Sequence, residues 1–170
     1  MIKNILVSGC SLTAGGALPQ GINDPQLWVN IVATHLGAKC HNVSTNGASN
    51  QIIFEEALTG LATIPDVDQL IVAWTVFPRF RFYPGVEAFN PEYFNITPSA
   101  KLDTYQLDWK GGSISKAQMT DLAKILLTLD EDVHNFIQIL RYTATISHVA
   151  KLMNIPVIFV DRKSTRLNSS

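Results

Sequence analysis

The chain has 170 residues, of which 46% are hydrophobic and 16% are charged, and its formal net charge is −1. This length is typical of one domain with one hydrophobic core, and the near-neutral charge is typical of neither a nucleic-acid-binding nor a disordered protein. The chain enters an apolar run within its first five residues, and no apolar stretch is long enough to span a bilayer. We therefore expect a cytoplasmic protein without a membrane or nucleic-acid partner.

The first predicted strand, residues 5–7, ends at a turn of small residues. Its three side chains are apolar, which is typical of a strand covered on both faces, and Gly9 allows a sharp turn after it. Ser11 then lies at the carboxyl end of the strand, where open α/β sheets bind their ligands. The alternative is a plain strand-to-helix turn that Ser11 or Thr13 caps.

A first helix is predicted to begin at Asp24, as the N-cap, and to end at Gly37, with His35 in its last turn. Apolar residues at spacings of three and four predict its buried stripe: Leu27, Trp28, Ile31, Val32 and Leu36.

A strand–helix–strand pattern follows. Residues 38–43 are predicted to form a strand and residues 44–50 a polar loop, and a helix then runs on to Pro65. Residues 69–76, rich in Leu, Ile and Val, predict a third strand. Strands alternating with helices of this length predict a parallel sheet with the first strand inside it and with Ser11 and Gly47 on one rim.

The remaining segments continue this pattern with one interruption. Residues 77–115 form a long insertion rich in aromatic residues, which is typical of a lid or binding loop, a subunit contact or a poorly ordered excursion. Helices are predicted over 117–129 and 131–153, the second opened by Asp130 and burying Phe136, Ile137, Leu140, Ile146, Val149 and Leu152. Residues 157–160 predict a fourth strand.

The last ten residues, 161–170, are polar and aperiodic, and most of them resemble translated sequencing adapter. We therefore expect a partial domain over 1–160 and a non-native tail.

The two loops at the strand ends resemble the SGNH or GDSL hydrolases. The family's first block, Gly-Asp-Ser-Leu-x with a nucleophilic serine, is similar to residues 9–13, in which Cys10 replaces the aspartate and Ser11 is the serine. The Asn- and Ser-rich loop at 46–50 is similar to the second block, which implies that the Gly47 amide serves the oxyanion hole. The third-block asparagine is missing after the third strand, and Thr75, at the corresponding position, or Arg79 could contribute in its place.

The general base of such a site is not evident in the sequence. In this family it comes from an Asp-x-x-His block, and none of His35, His41, His134 and His148 lies in that context. We interpret these four as helix or strand residues. Cys10 is an alternative nucleophile but has no evident base. Cys10 and Cys40 show no paired CxxC spacing, so no disulfide framework or metal site is predicted.

The resemblance implies a three-layer, flavodoxin-like α/β domain and a serine esterase that uses no metal or organic cofactor. Its substrate would be a small-molecule, carbohydrate or lipid ester. Because the base is missing, we expect the chain as written to be inactive or nearly so. A non-catalytic binding or scaffold protein of the same fold is the main alternative. A nucleotide-binding module is a weaker one, since neither GxGxxG nor GxxxxGK[ST] occurs.

Overall fold

The computed structural model describes residues 2–75, 80–82, 94–98, 105–108, 117, 121 and 132–160. These residues divide into two compact units: one contains 2–75 and 139–160, and the other contains the described residues between 80 and 138. In chain order the helices and strands are β1 (Asn4–Ser8), α1 (Trp28–Leu36), β2 (Lys39–Asn42), α2 (Asn50–Thr63), β3 (Gln69–Ala73), β4 (Phe80–Phe82), β5 (Phe94–Pro98), β6 (Tyr105–Asp108), α3 (Asp132–Leu152) and β7 (Val157–Val160).

The first unit is an α/β structure built on a four-stranded parallel sheet. Its strand order is β2-β1-β3-β7, so β1 lies inside the sheet between β2 and β3. Leu6, in the middle of β1, is completely buried. The prediction of a parallel sheet with an inner first strand is therefore confirmed, and so is the fourth strand, which pairs with β3.

Helices cover both faces of this sheet because successive strand residues point to opposite sides. On one face Leu6, Leu70 and Val72 form a core with side chains of α2 and α3. On the other face Ile5, Val7 and Ile71 pack against a smaller cluster from α1 and the residue before it: Leu27, Val29 and Ala33. The predicted β1–α1–β2–α2–β3 order is confirmed.

Helix α1 begins later and buries a different face than the sequence predicts. Its N-cap position is Leu27, whereas the Asp24 side chain accepts the Gln26 N–H in a tight turn before the helix. The buried helix residues are Val29 and Ala33, and the predicted Ile31 is 54% exposed. Leu27 is buried and Trp28 packs beside it, as predicted, whereas Ile31 and Leu36 are exposed. The rest of the stripe was wrong because apolar side chains surround most of this helix, so its contact with the sheet decides which of them are buried. The end at Gly37 is confirmed, with His35 in the last turn.

Helix α3 confirms the predicted span and two of its predicted core residues, Ile146 and Val149, but buries different side chains elsewhere. Ile146 and Ala150 are fully buried, and Ile139, Tyr142 and Val149 pack beside them. Four of the predicted core residues are instead exposed: Phe136, Ile137, Leu140 and Leu152. The observed stripe keeps spacings of three and four but is rotated relative to the predicted one, because the sheet contacts the side that carries Ile139 and Ile146.

The predicted insertion at 77–115 contains regular structure. Three short strands within it form an antiparallel sheet in the order β4-β5-β6. Of the predicted helix over 117–129, the described residues Ala117 and Asp121 are both helical, and the rest lies outside the described residues. Asp130 and the predicted tail at 161–170 also lie outside them. No helix within the described ranges is long and apolar enough to cross a membrane.

Asp68, which directly precedes β3, binds the backbone at the start of β1. Its Oδ2 accepts the backbone N–H of Lys3 at 2.7 Å and of Asn4 at 2.9 Å. These two hydrogen bonds favour the charged carboxylate and lower the pKa of Asp68 below its ordinary value. They align the start of β1 with the start of β3.

Candidate functional site

Ser11 lies in a tight turn directly after β1. The Cys10 carbonyl accepts the N–H groups of Thr13 and Ala14, both at 2.8 Å, and the Gly16 N–H donates to the Ser11 carbonyl at 2.8 Å. Ser11 itself is half-buried. Neither its hydroxyl nor its N–H forms a hydrogen bond with another described residue. The turn therefore holds the Ser11 backbone in place, and no described residue accepts a hydrogen bond from its hydroxyl or N–H.

The loop after β2 lies against this turn, as expected for neighbouring parallel strands. The Thr45 N–H donates to the Gly9 carbonyl at 3.3 Å, and the Asn42 side chain donates to the Thr13 carbonyl at 2.7 Å. The Thr45 hydroxyl in turn hydrogen-bonds to Glu56 of α2. Hydrogen bonds thus connect the Ser11 turn, the loop after β2 and α2.

Gly16 shows how closely the two loops approach. A Cβ atom placed on Gly16 would lie 3.3 Å from the Ser11 Cβ and would collide with Oδ1 of Asn46. The side chains of Ser11 and Asn46 therefore flank the same point, and a residue larger than glycine there would displace one of them. This contact brings together the two segments that the sequence singled out.

Gly47 follows Asn46 in a conformation that favours glycine. Its φ is +76°, in the left-handed region that L-residues with a side chain seldom adopt. Within the part of the chain that the structure describes, the Gly47 N–H donates no hydrogen bond. Backbone N–H groups of this kind, placed beside a serine, can stabilise a developing oxyanion.

Thr75, the expected third-block position, follows β3 on the same rim. It is 3% exposed, and its N–H donates to Oδ1 of Asn50 at 2.8 Å. The Asn50 Nδ2 donates to the Thr75 carbonyl at 3.2 Å. The Thr75 hydroxyl is buried and has no hydrogen-bond partner among the described residues. The backbone of Thr75 is therefore fully engaged by one side chain. Arg79, the other expected replacement, lies outside the described residues.

The end of β1 is also bound to α2 from inside the core. The Ser8 hydroxyl, which is completely buried, donates to the Ile53 carbonyl in the first turn of α2 at 2.8 Å. That helix begins with a capped end, since Oγ of Ser49 accepts the Ile52 N–H at 3.3 Å. The start of α2 is thereby fixed next to the Ser11 turn.

The histidines whose side chains are described lie away from this rim. His35 lies in the last turn of α1, and His148 is exposed on α3. His41 lies within β2 with its Nε2 3.3 Å from Oδ1 of Asn4. Desolvation, together with the charge of Lys39, lowers the pKa of His41. The side chain of His134 is outside the described residues. No described histidine is therefore placed to accept a proton from Ser11.

The two cysteines are free thiols. Cys10 is buried in the core beneath the Ser11 turn, and burial raises the pKa of Cys40. A buried thiol is a poor nucleophile, so Ser11 remains the better placed of the two neighbouring side chains. Among the described residues, no group of three or more His, Cys, Asp or Glu side chains could hold a metal ion.

Two cavities lie near the amino-terminal ends of the strands, whereas Ser11 lies at the carboxyl ends. One, of about 390 Å³, is lined by the end of α2 and the turn before β3, with Met153 and Ile155. The other, of about 440 Å³, lies beside the start of β7. Ser11, Gly47 and Thr75 line neither of them.

Sequence reasoning missed the roles of Gly16 and Asn50. Both stand in segments recognised as loops or helix starts, and Asn50 belongs to the Asn- and Ser-rich run. Their contacts join residues 25 to 30 positions apart, Asn50 to Thr75 and Gly16 to Asn46. The local sequence gives no signal for such contacts. The chain matches no protein-family model and no curated protein.

Proposed function

We propose that this chain carries the nucleophile of a serine ester hydrolase of the SGNH or GDSL type, with Ser11 as that nucleophile. The observation that carries the proposal is the contact at Gly16, where Ser11 and Asn46 flank one point and are followed by Gly47, whose N–H has no hydrogen-bond acceptor among the described residues. The strand order β2-β1-β3-β7 supports the finer fold expectation, since flavodoxin-like sheets order their first four strands in this way.

The reaction would be acyl transfer to Ser11. The Ser11 Oγ attacks the carbonyl carbon of an ester while its proton passes to a general base, and the carbonyl electron pair moves to the oxygen. When the tetrahedral intermediate collapses, the C–O bond to the alcohol breaks and the alcohol leaves with the proton. Water then attacks the acyl-enzyme, a second proton passes through the base, and the acid is released. The N–H groups of Ser11 and Gly47 would stabilise the oxyanion.

The general base in this proposal is a histidine imidazole. The described histidine side chains lie away from Ser11, so the base is expected from a residue that the structure does not describe. Loss of the histidine from a serine hydrolase lowers turnover by about a million-fold. We therefore expect replacement of that histidine to remove nearly all ester turnover. The substrate class proposed is a small-molecule, carbohydrate or lipid ester.

A fluorophosphonate probe tests the nucleophile, because it labels only a serine that a base activates. We expect the full-length gene product to be labelled at Ser11 and to hydrolyse p-nitrophenyl acetate, and Ser11→Ala to lose both. Ser44→Ala is a matched control, since Ser44 is buried in the neighbouring loop and its hydroxyl has no partner among the described residues. Turnover that survives Ser11→Ala would contradict the nucleophile assignment. No labelling of the unsubstituted protein would favour a non-catalytic binding or scaffold protein.

A further inference from the structure

Asn50 lies at the carboxyl rim of the sheet as the first residue of α2, and it is half-buried. Its carboxamide pairs with the backbone of Thr75 in the way that a neighbouring strand would. Oδ1 accepts the Thr75 N–H at 2.8 Å, and Nδ2 donates to the Thr75 carbonyl at 3.2 Å. Since the two partners are a donor and an acceptor, they fix which side of the amide carries oxygen and which carries nitrogen.

This pairing leaves one polar hydrogen unused. An asparagine Nδ2 carries two hydrogens, and the one on the same side as Oδ1 points toward the Thr75 carbonyl in a paired geometry. The other hydrogen points away from Thr75, and no acceptor for it is found in the described part of the chain. The Thr75 N–H, in contrast, is already occupied, and the Thr75 hydroxyl is buried.

The sheet register places Asn50 near Ser11. Ser8 of β1 pairs with Val72 of β3. Ser11 lies three residues after Ser8, and Thr75 lies three residues after Val72, so both follow the same paired position at the ends of neighbouring strands. The Ser8 hydroxyl also donates to the Ile53 carbonyl, which holds the first turn of α2 against the end of β1. Asn50 therefore begins its helix at the rim where both strands end.

We propose that the second Nδ2 hydrogen of Asn50 is an oxyanion donor for the acyl transfer at Ser11. This inference rests on the proposed function and adds to it a catalytic side chain from α2. Because Oδ1 and Nδ2 of Asn50 both hydrogen-bond to the Thr75 backbone, the carboxamide cannot rotate without breaking them. Its second Nδ2 hydrogen is therefore oriented before the substrate arrives. Donors oriented in advance toward developing charge are those that lower the barrier most. The N–H groups of Ser11 and Gly47 would supply the other hydrogen bonds.

The test compares Asn50→Asp with the unsubstituted full-length gene product. Aspartate keeps an oxygen for the Thr75 N–H but removes both Nδ2 hydrogens. We expect kcat for p-nitrophenyl acetate to fall about 100- to 1,000-fold at nearly unchanged KM, because the donor acts only in the transition state. Fluorophosphonate labelling of Ser11 should slow by a similar factor. Gln51→Ala removes an exposed carboxamide one position along the helix and should change neither rate.

Asn50→Ala and a urea unfolding curve for each variant separate catalysis from folding. Turnover by Asn50→Asp or Asn50→Ala within about tenfold of the unsubstituted protein would overturn the Asn50 assignment and leave Ser11 as the nucleophile. A rise in KM at constant kcat, or a loss of activity that follows the urea midpoint, would make Asn50 structural and would also overturn it. Absence of Ser11-dependent labelling in the unsubstituted protein would overturn the proposed function, and the Asn50 role with it.

Discussion

Gly60 of α2 lies directly over Leu6 of β1, and the substitution Gly60→Ala tests how this contact positions the helix. A Cβ atom at Gly60 would lie 2.8 Å from Cδ1 and 2.9 Å from Cδ2 of Leu6. Leu6 is completely buried in the core, so a movement of its side chain has to displace neighbouring core residues. Excess volume in a packed core costs about 1 to 3 kcal/mol, whereas alanine in a helix is favoured over glycine by about 1 kcal/mol.

We therefore expect Gly60→Ala to lower the free energy of unfolding by up to about 2 kcal/mol, the overpacking cost less the gain in helix propensity. In a Leu6→Val background both Cδ atoms are absent, and Gly60→Ala should instead raise the free energy of unfolding by about 1 kcal/mol. The coupling between the two sites is then about 1 to 3 kcal/mol, which lies within the range of about 0.5 to 3 kcal/mol found for residues in contact.

Urea unfolding followed by circular dichroism measures the four proteins of this cycle. Ala62→Gly is the matched control, because Ala62 is exposed on the same helix and should cost about 1 kcal/mol in both backgrounds. Equal stabilisation by Gly60→Ala in both backgrounds would refute the reasoning, since it would mean that α2 does not rest on Leu6.

Three further predictions concern the rim and the sheet. Ser49→Ala removes the N-cap of α2 and should cost about 1 kcal/mol in urea unfolding, whereas Ser49→Asp should retain most of the stability. The hydrogen bonds from the Lys3 and Asn4 N–H groups lower the pKa of Asp68 in the folded protein, so the stability that Asp68 contributes is present at neutral pH and is lost as the pH falls through that lowered pKa. The stability difference between Asp68→Asn and the unsubstituted protein should therefore shrink on acid titration, and a pH-independent difference would contradict this. Gly16→Ala should leave the urea midpoint nearly unchanged, because Asn46 has a movable side chain, but should slow Ser11 labelling about 100-fold. In an Asn46→Ala background Gly16→Ala should have little further effect, and full additivity would exclude displacement of Asn46 as the cause.

The four strands of the parallel sheet and α2 could be predicted from the sequence because their apolar residues are compatible with one arrangement, whereas β4, β5 and β6 were not predicted. Residues 5–7 have no polar face, so they belong inside a sheet, and the capped run after Ser49 has one apolar side. The buried faces of α1 and α3 could not be predicted. Ile31 and Val29, or Leu140 and Ile139, are both apolar, and the sheet surface that each helix meets decides between them.

The candidate site could also be predicted only in part. Parallel strands bring their carboxyl ends to one rim, so the neighbourhood of Ser11 and Gly47 follows from the order of elements. The pairing of Asn50 with Thr75 depends on where α2 lies over β3, which local sequence does not specify. The assignment of Ser11 as a nucleophile stays a prediction.

The buried hydrogen bond from Ser8 to Ile53 also couples the motions of the Ser11 turn and the first turn of α2. Separating the two groups would leave the Ser8 hydroxyl without a hydrogen-bond partner in the core and remove one hydrogen bond from the Ile53 carbonyl. Such a buried, unsatisfied group costs free energy unless water enters to bind it. Release of the Ser11 turn from α2 therefore requires the first turn of that helix to open as well. Backbone amides on both sides of this bond should then exchange with deuterium through one shared opening, as a single cooperative unit.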